Sequence, residues 1–330
     1  MKVFYMYLKY SIDEEISDLA YQLTLPPAAF LDVQTARKIM SDFSKKTLEY
    51  LKDKGLLDTT GLTIREVAVT GYDGYLIKAR IYTPSECAGS KCSGIVYFHG
   101  GGWISGDLDM DHYRLIRYSR EAKVIVISVD YRLAPENPFP IPVEDCYNAV
   151  KWAYQNADLL NIDPNRLGVG GENSGANLAA AVSLMARDRR EVKITYQLLL
   201  YPVLNLISSS DSAVKYSDTP VLNRALLQIL VKLYLADNIS NAYHPYASPL
   251  LAQDFKNLPI TYLAIGQYDP GRDDSFEYVR KLLENDISVE FHIYANEPHG
   301  FDLIYPLSTI SKRALEEQIN VLKKFSRTYR

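Results

Sequence analysis

Hydrophobic and polar positions change rhythm along the chain. From Asp32 to Leu56, residues Val33, Ala36, Ile39, Met40, Phe43, Leu48 and Leu51 recur at three- and four-residue steps, the spacing of one helical face. Pro26-Pro27 predicts a break between this helix and one before it. Past residue 60 the step shortens to two. REVAV and YLIKARIY alternate as strands do, with Gly71 and Gly74 predicting a hairpin turn between them. Short β-branched apolar runs follow: SGIVYF (93–98), KVIVISV (123–129), RLGVGG, ITYQLLLY, ITYLAIG (260–266) and SVEFHIY (288–294). Such runs form the interior strands of parallel sheets. Helical stretches at 144–154, 178–186, 275–283 and 314–325 separate them. This alternation predicts a doubly wound α/β sheet with right-handed crossovers. Residues 205–245 interrupt it with polar turns and one amphipathic helix, Val221 to Leu235, read as an excursion over the sheet's C-terminal edge.

Composition narrows the function classes. At 330 residues the chain suits one α/β domain with an insertion or cap. Its 47% hydrophobic and 23% charged content is ordinary for a globular protein. Net charge is −4, and no basic block exceeds Arg189-Arg190 or Lys323-Lys324, which argues against a nucleic-acid partner. The apolar run Val3 to Leu8 is too short for a secretory core or a membrane span. Cys87, Cys92 and Cys146 are an odd set at unrelated spacing. Free thiols in a reducing compartment are therefore expected, although Cys87 and Cys92 share a loop. Together these features predict a cytoplasmic protein with no stable membrane insertion.

In an open α/β sheet, ligands bind at the carboxyl ends of the strands. Four signals fall there. His99-Gly100-Gly101-Gly102-Trp103 directly follows SGIVYF. Consecutive glycines let the main chain approach a ligand and aim N–H groups at developing negative charge. Gly171-Glu172-Asn173-Ser174-Gly175 lies between a strand and an Ala-rich helix, where flanking glycines permit a strained elbow that lifts its central side chain above the sheet. Asp269 follows ITYLAIG, with Asp273 or Asp274 read as the cap of the next helix. His299, in NEPHGF, follows the last strand. The order 173, 269, 299 matches nucleophile position, acid and base.

With HGGGW, DYRLAPENPFP, VEDC, GGENSGANLAA, SPLL, YDPGRD and HGF, the chain resembles the hormone-sensitive-lipase branch of the α/β-hydrolases, from about residue 60 onward. The resemblance implies an α/β-hydrolase fold: a mostly parallel central sheet flanked by helices, with a helical cap. It divides the chain into cap residues 1–60, core 61–204, cap 205–245 and core 246–330. It also implies short- to medium-chain acyl esters as small-molecule substrates, no cofactor and no metal, and a homodimer. The acid carries over to Asp269, the base to His299, and the oxyanion donors to the N–H groups of Gly101, Gly102 and Ser174. Arg132 and Glu136 are read as fixing loops beneath the site.

The branch pattern at the elbow is Gly-Asp-Ser-Ala-Gly-Gly, and Asn173 stands where the nucleophilic serine belongs. An amide nitrogen has its lone pair delocalised and forms no useful acyl intermediate, so an inactive or impaired esterase is expected. Asn tolerates positive φ better than most residues, so folding should survive. Ser174 should point into its helix, away from His299. Two alternatives stay open: a small-ligand receptor on the hydrolase scaffold, and an aspartate-nucleophile hydrolase formed when Asn173 deamidates.

Overall fold

The computed structural model describes residues 9–24 and 26–326, so the run Val3 to Leu8 lies outside the described residues. Eight strands form one sheet: β1 Leu62–Thr70, β2 Leu76–Pro84, β3 Cys92–Phe98, β4 Ile125–Asp130, β5 Ile162–Glu172, β6 Tyr196–Leu200, β7 Ile260–Gly266 and β8 Val289–Tyr294. Their spatial order is β1-β2-β4-β3-β5-β6-β7-β8. The alternating segments β1 and β2 pair antiparallel, and β2 pairs antiparallel with β4. Every other pairing is parallel. The apolar runs occupy the centre because helices cover both of their faces; β6 is buried along its whole length.

The helices are α1 Glu14–Gln22, α2 Val33–Asp53, α3 His112–Ala122, α4 Ile141–Gln155, α5 Ser174–Arg189, α6 Asp211–Lys215, α7 Arg224–Tyr234, α8 Arg272–Glu284, α9 Phe301–Ile304 and α10 Thr309–Phe325. A 3₁₀ turn at Pro27–Leu31 separates α1 from α2, as the proline pair predicts. Asp32 caps α2 by accepting hydrogen bonds from the Thr35 N–H and hydroxyl. The N-terminal segment meets the 205–245 segment. Val221 N–H donates to Thr24 Oγ1 at 2.9 Å, and Lys9 Nζ lies 2.8 Å from Asp218.

Two expectations need correction. Cys87 and Cys92 form a disulfide, because a 3₁₀ turn at Ser85–Cys87 folds the loop back and brings their Cα atoms to 5.7 Å. Only Cys146 is free, and it is buried. The cysteine argument for a reducing compartment goes with that pairing. Second, neither Asp273 nor Asp274 caps α8, whose N-cap is Gly271. Both carboxylates reach sideways: Asp273 accepts from Ser212 N–H at 2.8 Å, and Asp274 from Asn205 Nδ2 at 3.2 Å. Glu136 pairs with Arg37 of α2 at 2.6 Å, and Arg37 also donates to the carbonyls of Ile104 and Ala134. Arg132 does brace a loop, pairing with buried Asp145 at 2.8 Å while donating to the Tyr72 carbonyl in the hairpin turn. Among the described residues, no helix is long and apolar enough to cross a membrane.

Candidate active site

The site sits where β3, β5, β7 and β8 end. β5 stops at Glu172, and the chain turns at Asn173 with φ 52° and ψ −117° before α5 begins at Ser174. A non-glycine residue there is strained, and packing on both sides enforces the turn. Gly175 lies so close to β3 that a Cβ on it would collide with the Phe98 carbonyl. Asn173 N–H is held by the Leu200 carbonyl of β6 at 3.0 Å. The elbow is therefore fixed by its neighbours rather than by its own preference.

The glycine loop is tied down at several points. Gly100 N–H donates to Glu172 Oε1 at 2.8 Å. The Gly101 carbonyl accepts from the N–H and hydroxyl of Ser105 at 3.1 and 2.8 Å. Gly101 has φ 101°, and a Cβ there would run into the Ser105 carbonyl. His99 stacks on Tyr131 at 4.4 Å, and the Tyr131 hydroxyl donates to the His99 carbonyl. Trp103 donates to Asn177 Oδ1 at 3.2 Å and stacks on Tyr234 of α7 at 4.6 Å. These contacts leave the N–H groups of Gly101 and Ser174 with no acceptor among the described residues.

The structure brings together all six residues singled out in the sequence. His299 Nδ1 donates to Asp269 Oδ2 at 2.6 Å, and both side chains are buried. Gly271 N–H gives Asp269 Oδ1 a second partner at 2.7 Å. On its other side, His299 Nε2 lies 2.6 Å from Asn173 Nδ2. Gly102 N–H donates to Asn173 Oδ1 at 3.0 Å, which fixes the amide's orientation: oxygen toward the glycine loop, nitrogen toward the imidazole. Asn173 Nδ2 then donates to an unprotonated Nε2. Ser174 is fully buried, and its hydroxyl has no partner among the described residues.

Sequence reasoning missed a buried polar network behind His299. Arg114 of α3 lies 3.0 Å from Asp111 and 3.1 Å from Asp302 of α9. The Tyr201 hydroxyl donates to Asp302 at 2.8 Å, and its ring meets His299 edge-on at 5.0 Å. An arginine amid apolar neighbours in YRLI, and an aspartate three positions after His299, were the available signals. Burial pushes the Asp111 carboxyl up against the opposing pull of Arg114. Burial, followed by the charge of Asp111, raises Glu172 to about 8, so it is neutral at pH 7. Glu297 is likewise raised to about 8 by burial, and neither of its carboxyl oxygens has a partner among the described residues.

Above Asn173 and His299 lies a cavity open to solvent. Phe30, Ile39, Met40 and Phe43 line it from the N-terminal segment, and Val221, Leu222, Leu226 and Leu230 from the mid-chain excursion. Among the described residues, no arginine or lysine faces it, so it suits a neutral apolar ligand. The described residues contain no cluster of His, Cys, Asp or Glu able to hold a metal ion.

Known proteins match this architecture. The family with the alpha/beta hydrolase fold matches residues 95–303. An arylesterase of Saccharolobus solfataricus is 37% identical over 231 residues, spanning 69% of this chain and 74% of that protein. Carboxylesterase NlhH of Mycobacterium tuberculosis is 34% identical over 243 residues, spanning 72% of this chain and 75% of its own length. Among solved structures, a bacterial heroin esterase superposes with a TM-score of 0.86 at 33% identity, covering 96% of this chain and 99% of the other. A hyperthermophilic esterase from Pyrobaculum calidifontis gives 0.84 at 34% identity, with 94% and 96% covered. By fold, motifs and these relatives, the chain belongs to the α/β-hydrolases, in the carboxylesterase branch related to hormone-sensitive lipase.

Proposed function

We propose that the site binds neutral short- to medium-chain acyl esters under a cap formed by residues 9–60 and 205–245, and that Asn173 stops it from turning them over through an acyl-enzyme. One observation carries this reading: the Asn173 carboxamide bridges Gly102 N–H and His299 Nε2. In an intact site, a serine hydroxyl donates to the imidazole, and the ester carbonyl takes the glycine-loop donors as it becomes tetrahedral. Here the amide nitrogen replaces the hydroxyl as donor, and the amide oxygen occupies the carbonyl's place. His299 and Asp269 remain poised as base and acid, with no nucleophile to activate. Loss of the nucleophile from a comparable triad lowers turnover on the order of 10⁶-fold, leaving roughly 10³-fold over water from the rest of the site.

Hydrolysis of p-nitrophenyl butyrate by the chain and by Asn173→Ser, side by side, tests the proposal. A silent chain and an active Asn173→Ser variant are expected. Silence from both moves the assignment to a ligand receptor. Rapid hydrolysis by the unaltered chain overturns the role given to Asn173.

A further inference from the structure

We infer that the elbow is a self-modification site, at which the backbone nitrogen of Ser174 attacks the side-chain carbonyl of Asn173 and expels its amide as ammonia. The inference rests on the backbone, independently of whether the scaffold hydrolyses esters. Substituents on a tetrahedral Cα lie about 120° apart around the Cα–C bond. With ψ at −117°, the Asn173 Cβ therefore eclipses the Ser174 nitrogen. In helices and strands, by contrast, ψ keeps Cβ well away from that nitrogen. Eclipsing is the arrangement that a planar five-membered ring of Ser174 N with the C, Cα, Cβ and Cγ atoms of Asn173 requires. It leaves χ1 as the torsion to adjust. The conformation that exposes a nucleophile in this fold is thus the ring-closing conformation for asparagine.

Two contacts and one free donor assist the chemistry. The Ser174 N–H has no acceptor among the described residues, so no hydrogen bond need be broken before attack. Gly102 N–H sits 3.0 Å from Oδ1, the atom that gains negative charge as the N–Cγ bond forms. His299 Nε2 is 2.6 Å from Nδ2, the leaving atom. The proton released from Ser174 N passes to water, and His299 takes one up and delivers it to Nδ2. The Cγ–Nδ2 bond then breaks, giving a succinimide and ammonia. Water next adds to either ring carbonyl. Addition at Cγ leaves aspartate, and addition at the main-chain carbonyl leaves isoaspartate. No other reactant is needed.

The test is peptide mass spectrometry of the full-length chain, incubated folded and, in parallel, unfolded in urea. The tryptic segment 167–187 also contains Asn177, whose side chain is held by the carbonyls of Val203 and Ala247 and which serves as an internal reference. Expected is a gain of about 1 Da at position 173, present as a mixture of aspartate and isoaspartate, with Asn177 unchanged. The folded chain should react at least ~10-fold faster than the unfolded one, because the fold holds a near-attack geometry. His299→Gln should slow the folded reaction by a similar factor, and Asp269→Asn serves if that variant misfolds. An amide that persists in the folded chain while the unfolded one reacts as fast or faster overturns the proposal. So does a product that is aspartate alone, which would mean direct attack by water.

Discussion

A serine at position 173 would offer His299 a hydroxyl and leave the Gly102 N–H open to a substrate carbonyl. The carboxamide fills both places at once, so any ligand carbonyl that enters the site must displace Oδ1 from Gly102. Glu172 beside it holds the glycine loop through Gly100 N–H, and with its carboxyl raised to about 8 it does so as a neutral acid at pH 7. Above pH 8 it ionises, adding charge next to Asp111 and Asp302. In the Asn173→Ser background, ester hydrolysis should therefore fall as pH rises through 8, and Glu172→Gln should remove that limb while keeping neutral-pH activity within a few-fold; a pH–rate profile checks both. At this scale, the residues legible in the sequence were those set in local patterns: HGGGW, the elbow, YDPGRD and HGF. Arg114, Asp302 and Tyr201 were not, because their network joins two helices and a strand end with no shared spacing.

Strands and helices are local objects, and their hydrophobic periods predicted them well, down to the antiparallel β1–β2 hairpin and the parallel centre. What fastens one element to another was less visible. Arg132, after β4, grips Asp145 of α4, which also accepts from Tyr72 N–H in the hairpin turn at 2.8 Å. Asp145 is completely buried, so removing it leaves the half-buried Arg132 guanidinium with only the Tyr72 carbonyl and the exposed Asp73. Asp145→Ala should cost about 3 kcal/mol in denaturant unfolding. Asp73→Ala removes the exposed partner of the same arginine and should cost less than about 1 kcal/mol. Equal losses would show that burial does not decide the strength of this junction. The Cys87–Cys92 bridge escaped the sequence for a related reason: pairing depended on the intervening turn, which spacing alone does not reveal.

Across the whole molecule, Asp274 links α8 to the mid-chain excursion through Asn205 and Ser210. Burial, opposed by those two hydrogen bonds, raises its carboxyl from 3.8 to about 6. The folded state thus holds the proton more tightly than the unfolded chain. That contribution to stability is complete below pH 3.8 and is lost as pH rises through 6, a change of about 3 kcal/mol. Asp274→Asn should flatten this part of the stability–pH curve and raise stability at pH 7; chemical denaturation at a series of pH values measures both.

The roof of the cavity also sets a timetable. Thr24 and Val221 meet across 197 positions, and Lys9 and Asp218 across 209. At roughly 10 residues per second, the ribosome takes about 20 s to make the second half of that roof after the first. During that interval Phe30, Ile39, Met40 and Phe43 have no excursion to pack against. The ligand chamber is consequently among the last parts of a nascent chain to close, and its early half is the stretch most exposed to chaperones and proteases while it waits.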